Sequence, residues 1–71
     1  MKYAREVIDL LGAHRGREFK MGEIVRYCCG NVTGKERNAA RRMVALVLDQ
    51  LIASGSVKRY CTSKTNCLYF M

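Results

Sequence analysis

Between positions 35 and 42 the chain places four cations, Lys35, Arg37, Arg41 and Arg42, with Asn38 among them and Glu36 as the only acid. These residue types suit a polyanion whose edges also carry hydrogen-bonding groups. An Arg fork matches the two acceptors of guanine, and an Asn amide matches the acceptor–donor pair of adenine. A solvated helix face ordinarily mixes both signs, and this segment does not. Lys58, Arg59 and Lys64 make a sparser second set, suited to phosphate oxygens. The eight residues Lys35, Arg37, Asn38, Arg41, Arg42, Lys58, Arg59 and Lys64 are the candidate binding set for double-stranded DNA.

The other chemistry-bearing residues read more plainly. Cys28, Cys29, Cys61 and Cys67 are candidate metal or redox ligands, but neither pair has the two-residue spacing common in structural zinc sites. Cys61 and Cys67 would nearly face each other across a hairpin, where cross-strand packing accounts for them. The opening residues carry charges where a signal peptide would be apolar, so a reducing, cytoplasmic setting is expected. Four free thiols serving as small apolar side chains, with no cofactor and no metal, are the expectation. No neighbour suggests a thiol with lowered pKa. His14 is the sole histidine, follows a helix end and reads as exposed. Tyr3, Tyr27, Tyr60, Tyr69 and Phe70 fall mostly in apolar registers, which favours core or dimer packing over base stacking. No nucleophile is paired with a base, and Gly30 to Lys35 lacks the spacing of a phosphate-binding loop. An enzyme is therefore not expected.

These side chains must be held by a small body. The chain has 71 residues, a formal net charge of +7 and 49% hydrophobic residues. That length supports one domain, 1–71, with no second lobe to form a cleft. The hydrophobic share is too high for a disordered basic tail. The longest apolar run, Met43 to Leu48, stops at Asp49, so no membrane partner is expected. From Thr33 onward seven basic residues face two acidic ones, a balance of +5, against +2 over the first 32 residues. The excess charge thus lies with the two candidate sets.

Periodicity supplies the elements. Ala4, Val7, Ile8 and Leu11, widened by Leu10, predict a helix over 2–14, with Lys2, Glu6 and Asp9 off the stripe and Arg5 able to meet Asp9. Residues 17–20 predict a short edge strand or extended lead-in around Phe19. Met21, Ile24, Val25 and Cys28 predict a helix over 21–29, stopped by Gly30-Asn31. Thr33-Gly34-Lys35-Glu36 fits a capping box, which would occupy Glu36. Behind it a long helix runs to about Ser54, closed by Gly55, with Ala40, Met43, Val44, Val47, Leu48, Leu51 and Ile52 on its apolar face. Residues 57–62 and 67–71 then predict a β-hairpin around a polar turn at 63–66. The fold class is mainly α with a small β-hairpin, an α+β arrangement.

That order of elements resembles the winged helix-turn-helix superfamily. The resemblance covers almost the whole chain and is carried by Phe19-Lys20-Met21-Gly22-Glu23-Ile24-Val25, by the helix from Thr33, and by Leu51-Ile52-Ala53-Ser54-Gly55-Ser56-Val57. The last stretch resembles the passage from recognition helix into the first wing strand. Size and the Tyr69-Phe70 ending are similar to the small fimbrial-operon regulators of the FaeA-like family. The wing cysteines distantly resemble those of FeoC-type iron-transport proteins, which bear four there where this chain has two. The resemblance implies three helices plus a C-terminal wing and a sequence-specific transcriptional regulator. The helix from Thr33 would enter the major groove, and residues 57–71 would lie on the backbone. A lone domain reads few base pairs, so a homodimer or a larger regulatory partner is expected. The alternatives are a winged-helix adaptor or inhibitor that binds an acidic protein, and a Cys-based metal or redox sensor.

Overall fold

The computed structural model describes residues 3–71; Lys2, expected on the polar side of the first helix, lies outside the described residues. Three helices, α1 (Ala4–Ala13), α2 (Met21–Cys29) and α3 (Gly34–Ala53), pack with three strands, β1 (Phe19–Lys20), β2 (Lys58–Cys61) and β3 (Cys67–Phe70). The strands form one antiparallel sheet in the order β1-β3-β2, so the two-residue lead-in at Phe19 is a true edge strand. The architecture is α+β, with a three-stranded sheet rather than a hairpin alone.

One core joins every element except β2: Val7, Leu10 and Leu11 from α1, Phe19 from β1, Ile24 and Val25 from α2, Ala40, Val44, Val47 and Leu48 from α3, Val57 before β2, and Tyr69 from β3. The spacings of three and four in α1 and α3 put these side chains on one stripe, and in α2 the half-buried Met21 and Cys28 extend Ile24 and Val25 into the same pattern. Ile8 does not join it and is 44% exposed, because it sits about 100° round α1 from Val7. The expected Arg5–Asp9 contact is not formed; among the described residues the one ion pair is Arg59–Asp49.

The end of α3 follows its sequence closely. Gly55 adopts φ +85, its N–H donates to the Ile52 carbonyl at 3.0 Å, and the Ser56 N–H donates to Leu51 at 2.9 Å. These two bonds make a Schellman motif, which glycine permits because it has no Cβ to clash. Val57 follows directly, is 2% exposed, and anchors the start of the hairpin in the core.

The start of α3 differs from expectation. Thr33 is extended and makes no side-chain cap bond. Gly34, the first residue of α3, turns the chain at φ +63, and the Thr33 hydroxyl bonds none of the first-turn amides. Glu36 therefore does not close back on Thr33. A capping contact forms at α2 instead, where the Lys20 N–H donates to Glu23 Oε1 at 3.0 Å.

The aromatic residues divide differently from expectation too. Tyr69 is buried, but Tyr27 and Tyr60 are exposed at 53% and 57%. Tyr60 alternates onto the solvent face of β2, opposite Leu68. His14 is exposed as expected, with its ring centroid 6.0 Å from that of Phe19.

Candidate nucleic-acid interface

The first two turns of α3 carry their cations on two different stripes. Arg37 and Arg41 are one turn apart and share a face. Lys35, Asn38 and Arg42 follow the i, i+3, i+7 pattern and share another, about 100° further round. All five side chains are exposed. The predicted set is thus a groove-facing pair and an exposed ridge.

The pair opens into a concavity of about 770 Å³. Its walls are the start of α2, the α2–α3 connection, the first turns of α3 and the tip of the β2–β3 hairpin. Five cations line it: Lys20, Arg26, Arg37, Arg41 and Lys64. Lys64 reaches it because the hairpin turn folds over the groove. The Thr62 N–H donates to the Asn66 carbonyl at 2.9 Å, and the Asn66 amide donates to the Thr62 hydroxyl at 2.7 Å. Arg37 lies beside the first turn of α2, where a Cβ added to Gly22 would stand 3.7 Å from its Nη2. That helix end carries partial positive charge, so the guanidinium and the dipole add. Glu23 is the one carboxylate on the lining, and it is bonded to the Lys20 N–H. Positive charge concentrated in a concavity focuses its field outward more strongly than the same charge on a flat face.

Lys20 and Arg26 are binding candidates that the sequence reading omitted. Their signal is present: Lys20 directly precedes α2, and Arg26 is off the apolar stripe of Ile24 and Val25. What brings them to the other cations is the packing of α2 against α3.

Two residues of the candidate set, and the expected cap residue Glu36, lie elsewhere. Arg59 is directly opposite Tyr69 in the sheet, and both side chains point to the helical side. Arg59 therefore extends to Asp49 of α3, with Nη1–Oδ1 at 3.7 Å. Lys58 is opposite Phe70 on the solvent face of the sheet. Glu36, expected in a cap, lines a smaller cleft of about 280 Å³ with Cys29, Ala39, Ala40 and Met43 among its neighbours.

The cysteines correct the expectation of four free thiols. Cys61 and Cys67 are directly opposite in the β2–β3 register and are joined as a disulfide. Cys28 and Cys29 remain thiols. Burial pushes the Cys28 thiol up to about 11, with further contributions from the Glu6 carboxylate and from Cys29. The Cys29 Sγ contacts the Val25 carbonyl at 3.0 Å as a weak donor. No group of three or more His, Cys, Asp or Glu among the described residues is placed to hold a metal ion.

No family model, curated protein or solved structure matches this chain. Its functional reading rests on its own residues and their geometry.

Proposed function

We propose that this chain is a winged helix-turn-helix DNA-binding regulator of transcription. The observation that carries the reading is the convergence of Arg37 and Arg41 of α3 with Lys64 of the hairpin tip in one groove whose only lining carboxylate is engaged by a backbone amide. On this reading α3 is the recognition helix and enters the major groove, whose width admits one helix. The ridge of Lys35, Asn38 and Arg42 faces base edges. The groove cations and the hairpin, which acts as the wing, hold phosphates on either side. Binding, not catalysis, is the activity.

The dimensions favour a dimeric or partnered arrangement on DNA. The principal extents are 30 × 27 × 20 Å. One turn of duplex rises about 34 Å, so a single copy covers one half-site. Recognition of a full operator needs a second copy or a larger regulatory protein.

A gel-shift and anisotropy series against a random-sequence DNA selection tests the proposal. With five to seven cations on phosphate, log K falls against log salt with a slope of about −5 to −6. Selection should enrich a defined motif, and a salt-independent affinity would sink the mechanism.

A second reading is favoured by one feature. Tyr60 stands exposed on the outer sheet face beside Lys58, with Leu68 and Phe70 half-buried there. That mixed apolar and basic surface suits an acidic protein partner, as in a winged-helix adaptor or inhibitor. Competition by mixed-sequence duplex separates the two: DNA displaces nothing from this outer face if the partner is a protein.

A further inference from the structure

The one covalent cross-link among the described residues stands at the rim of the groove. Cys61 ends β2 and Cys67 begins β3, and the turn between them carries Lys64. Cys67, Lys64, Thr65 and Asn66 all line the groove. Cys61 is exposed, whereas Cys67 is half-buried and packs against the core. Without the cross-link, the tip is held by the β2–β3 pairing beneath it and by hydrogen bonds among exposed residues, Thr62 with Asn66 and the Asn66 N–H to the Ser63 carbonyl at 3.3 Å. Such bonds contribute little in water, and β2 is an edge strand with every residue exposed.

We propose that the Cys61–Cys67 disulfide is a redox latch on the groove: oxidised, it holds Lys64 over the basic concavity, and reduced by a dithiol it frees the tip and weakens polyanion binding. This rests on the reading of the groove as a DNA site. The exchange balances within the two partners. One thiolate of the dithiol attacks the exposed Cys61 Sγ, the S–S bond breaks, and its electron pair leaves on Cys67 Sγ, which takes up a proton. The second thiolate then attacks the reagent sulfur of the mixed disulfide. Cys61 leaves and is protonated, and the dithiol departs as its own disulfide. Two electrons and two protons pass to the protein. Exposed disulfides are the labile ones, because the attacking sulfur must reach them. Cys28 stays outside the exchange because its thiol is neutral at ordinary pH and a thiol is a poor nucleophile.

The test uses the full chain and a mixed-sequence duplex, read by fluorescence anisotropy at fixed salt. Protein is compared air-oxidised and after dithiothreitol, with thiol titration to count two free thiols rising to four and circular dichroism to follow the fold. Oxidised protein should bind about tenfold more tightly, because a free tip must be ordered on binding. Cys61→Ser/Cys67→Ser should bind like reduced protein in both conditions. Lys64→Ala should remove most of the difference between redox states. Equal, salt-dependent affinity in both states overturns the latch and leaves the DNA reading standing. Loss of the folded spectrum on reduction also overturns it, since the device would then be global. Absence of duplex binding in either state overturns the DNA reading and the latch together.

Discussion

Arg37 and Arg41 face a concavity walled by α2 and the hairpin tip, whereas Lys35, Asn38 and Arg42 stand exposed on another stripe of the same two turns, outside that concavity. Each stripe carries two cations, the second adding Asn38, and the stripes differ in what stands opposite them. The groove pair gains Lys20, Arg26 and Lys64 as neighbours and the positive end of α2 beside Arg37. The ridge is exposed and lines neither cleft. A charge reinforced by its surroundings attracts any phosphate, so the groove should supply affinity without regard to sequence. An exposed helix side chain reaches base edges, so the ridge should supply discrimination.

Removing both groove arginines should have the largest effect. Arg37→Ala/Arg41→Ala should weaken duplex binding by about 2 to 4 kcal/mol, and by similar amounts on preferred and mixed sequences. The salt slope should shrink by about 2 units, one for each lost phosphate contact. Anisotropy titrations at several salt concentrations measure both quantities. A loss confined to the preferred sequence would erase the distinction between the two stripes.

The ridge should fail in the opposite way. Arg42→Ala should cost about 1 to 3 kcal/mol on the selected motif and little on a mixed-sequence duplex. The ratio of the two affinities is the measurement. An unchanged ratio would leave the ridge as a solvated surface and move base reading elsewhere.

Much of the framework behind this comparison was legible in the sequence, because local signals and tertiary packing agree. The period of Ala40, Val44, Val47 and Leu48 places α3, and Gly55 stops it with the expected left-handed turn. The alternation after Val57 places the hairpin. The division into groove and ridge was less legible. Four cations in eight residues read as one basic segment until the position of α2 shows which of them meet a second wall. Lys20 and Arg26 were not legible for the same reason: each is an ordinary exposed charge on its own element, and only packing joins it to the others. The capping box failed because its pattern allows any residue after Thr33, and glycine there took a left-handed turn. The disulfide was not legible because the charged opening residues argue for a reducing setting, whereas the strand register sets Cys61 opposite Cys67.

The groove depends on the placement of α2, and Cys28 on that helix makes the stability of the folded chain depend on pH. Its thiol is held up to about 11 in the folded chain against an ordinary 9.0, chiefly by burial. The folded state thus keeps a proton that the unfolded state loses first. Stability should be level below about pH 9 and fall as pH rises from 9 towards 11, the window set by those two values. Partial exposure of Cys28 screens the effect to about 1 kcal/mol or less. Thermal melts of the wild type and Cys28→Ala across this range give the difference, and a parallel decline in both chains would remove Cys28 as the cause.

The smallest effect belongs to Arg59, which neither stripe includes. Its ion pair with Asp49 is 3.7 Å long, and the two side chains are 46% and 65% exposed. Water screens such a pair, so Asp49→Asn should change stability by less than about 0.5 kcal/mol. The same change removes one of only two acids after Thr33 and releases Arg59 from the helical side of the sheet. If the cations of α3 and the hairpin act together on one polyanion, duplex affinity should rise by about twofold at low salt and return to the wild-type value at high salt, as a screened long-range charge requires. A rise that survives high salt would mean that the freed Arg59 makes a direct contact, and the binding surface would then extend along β2 beyond the groove. A fall in affinity would mean that the pair with Asp49 positions the hairpin. The tip would then owe its place over the groove to Arg59 as well as to the turn that carries Lys64.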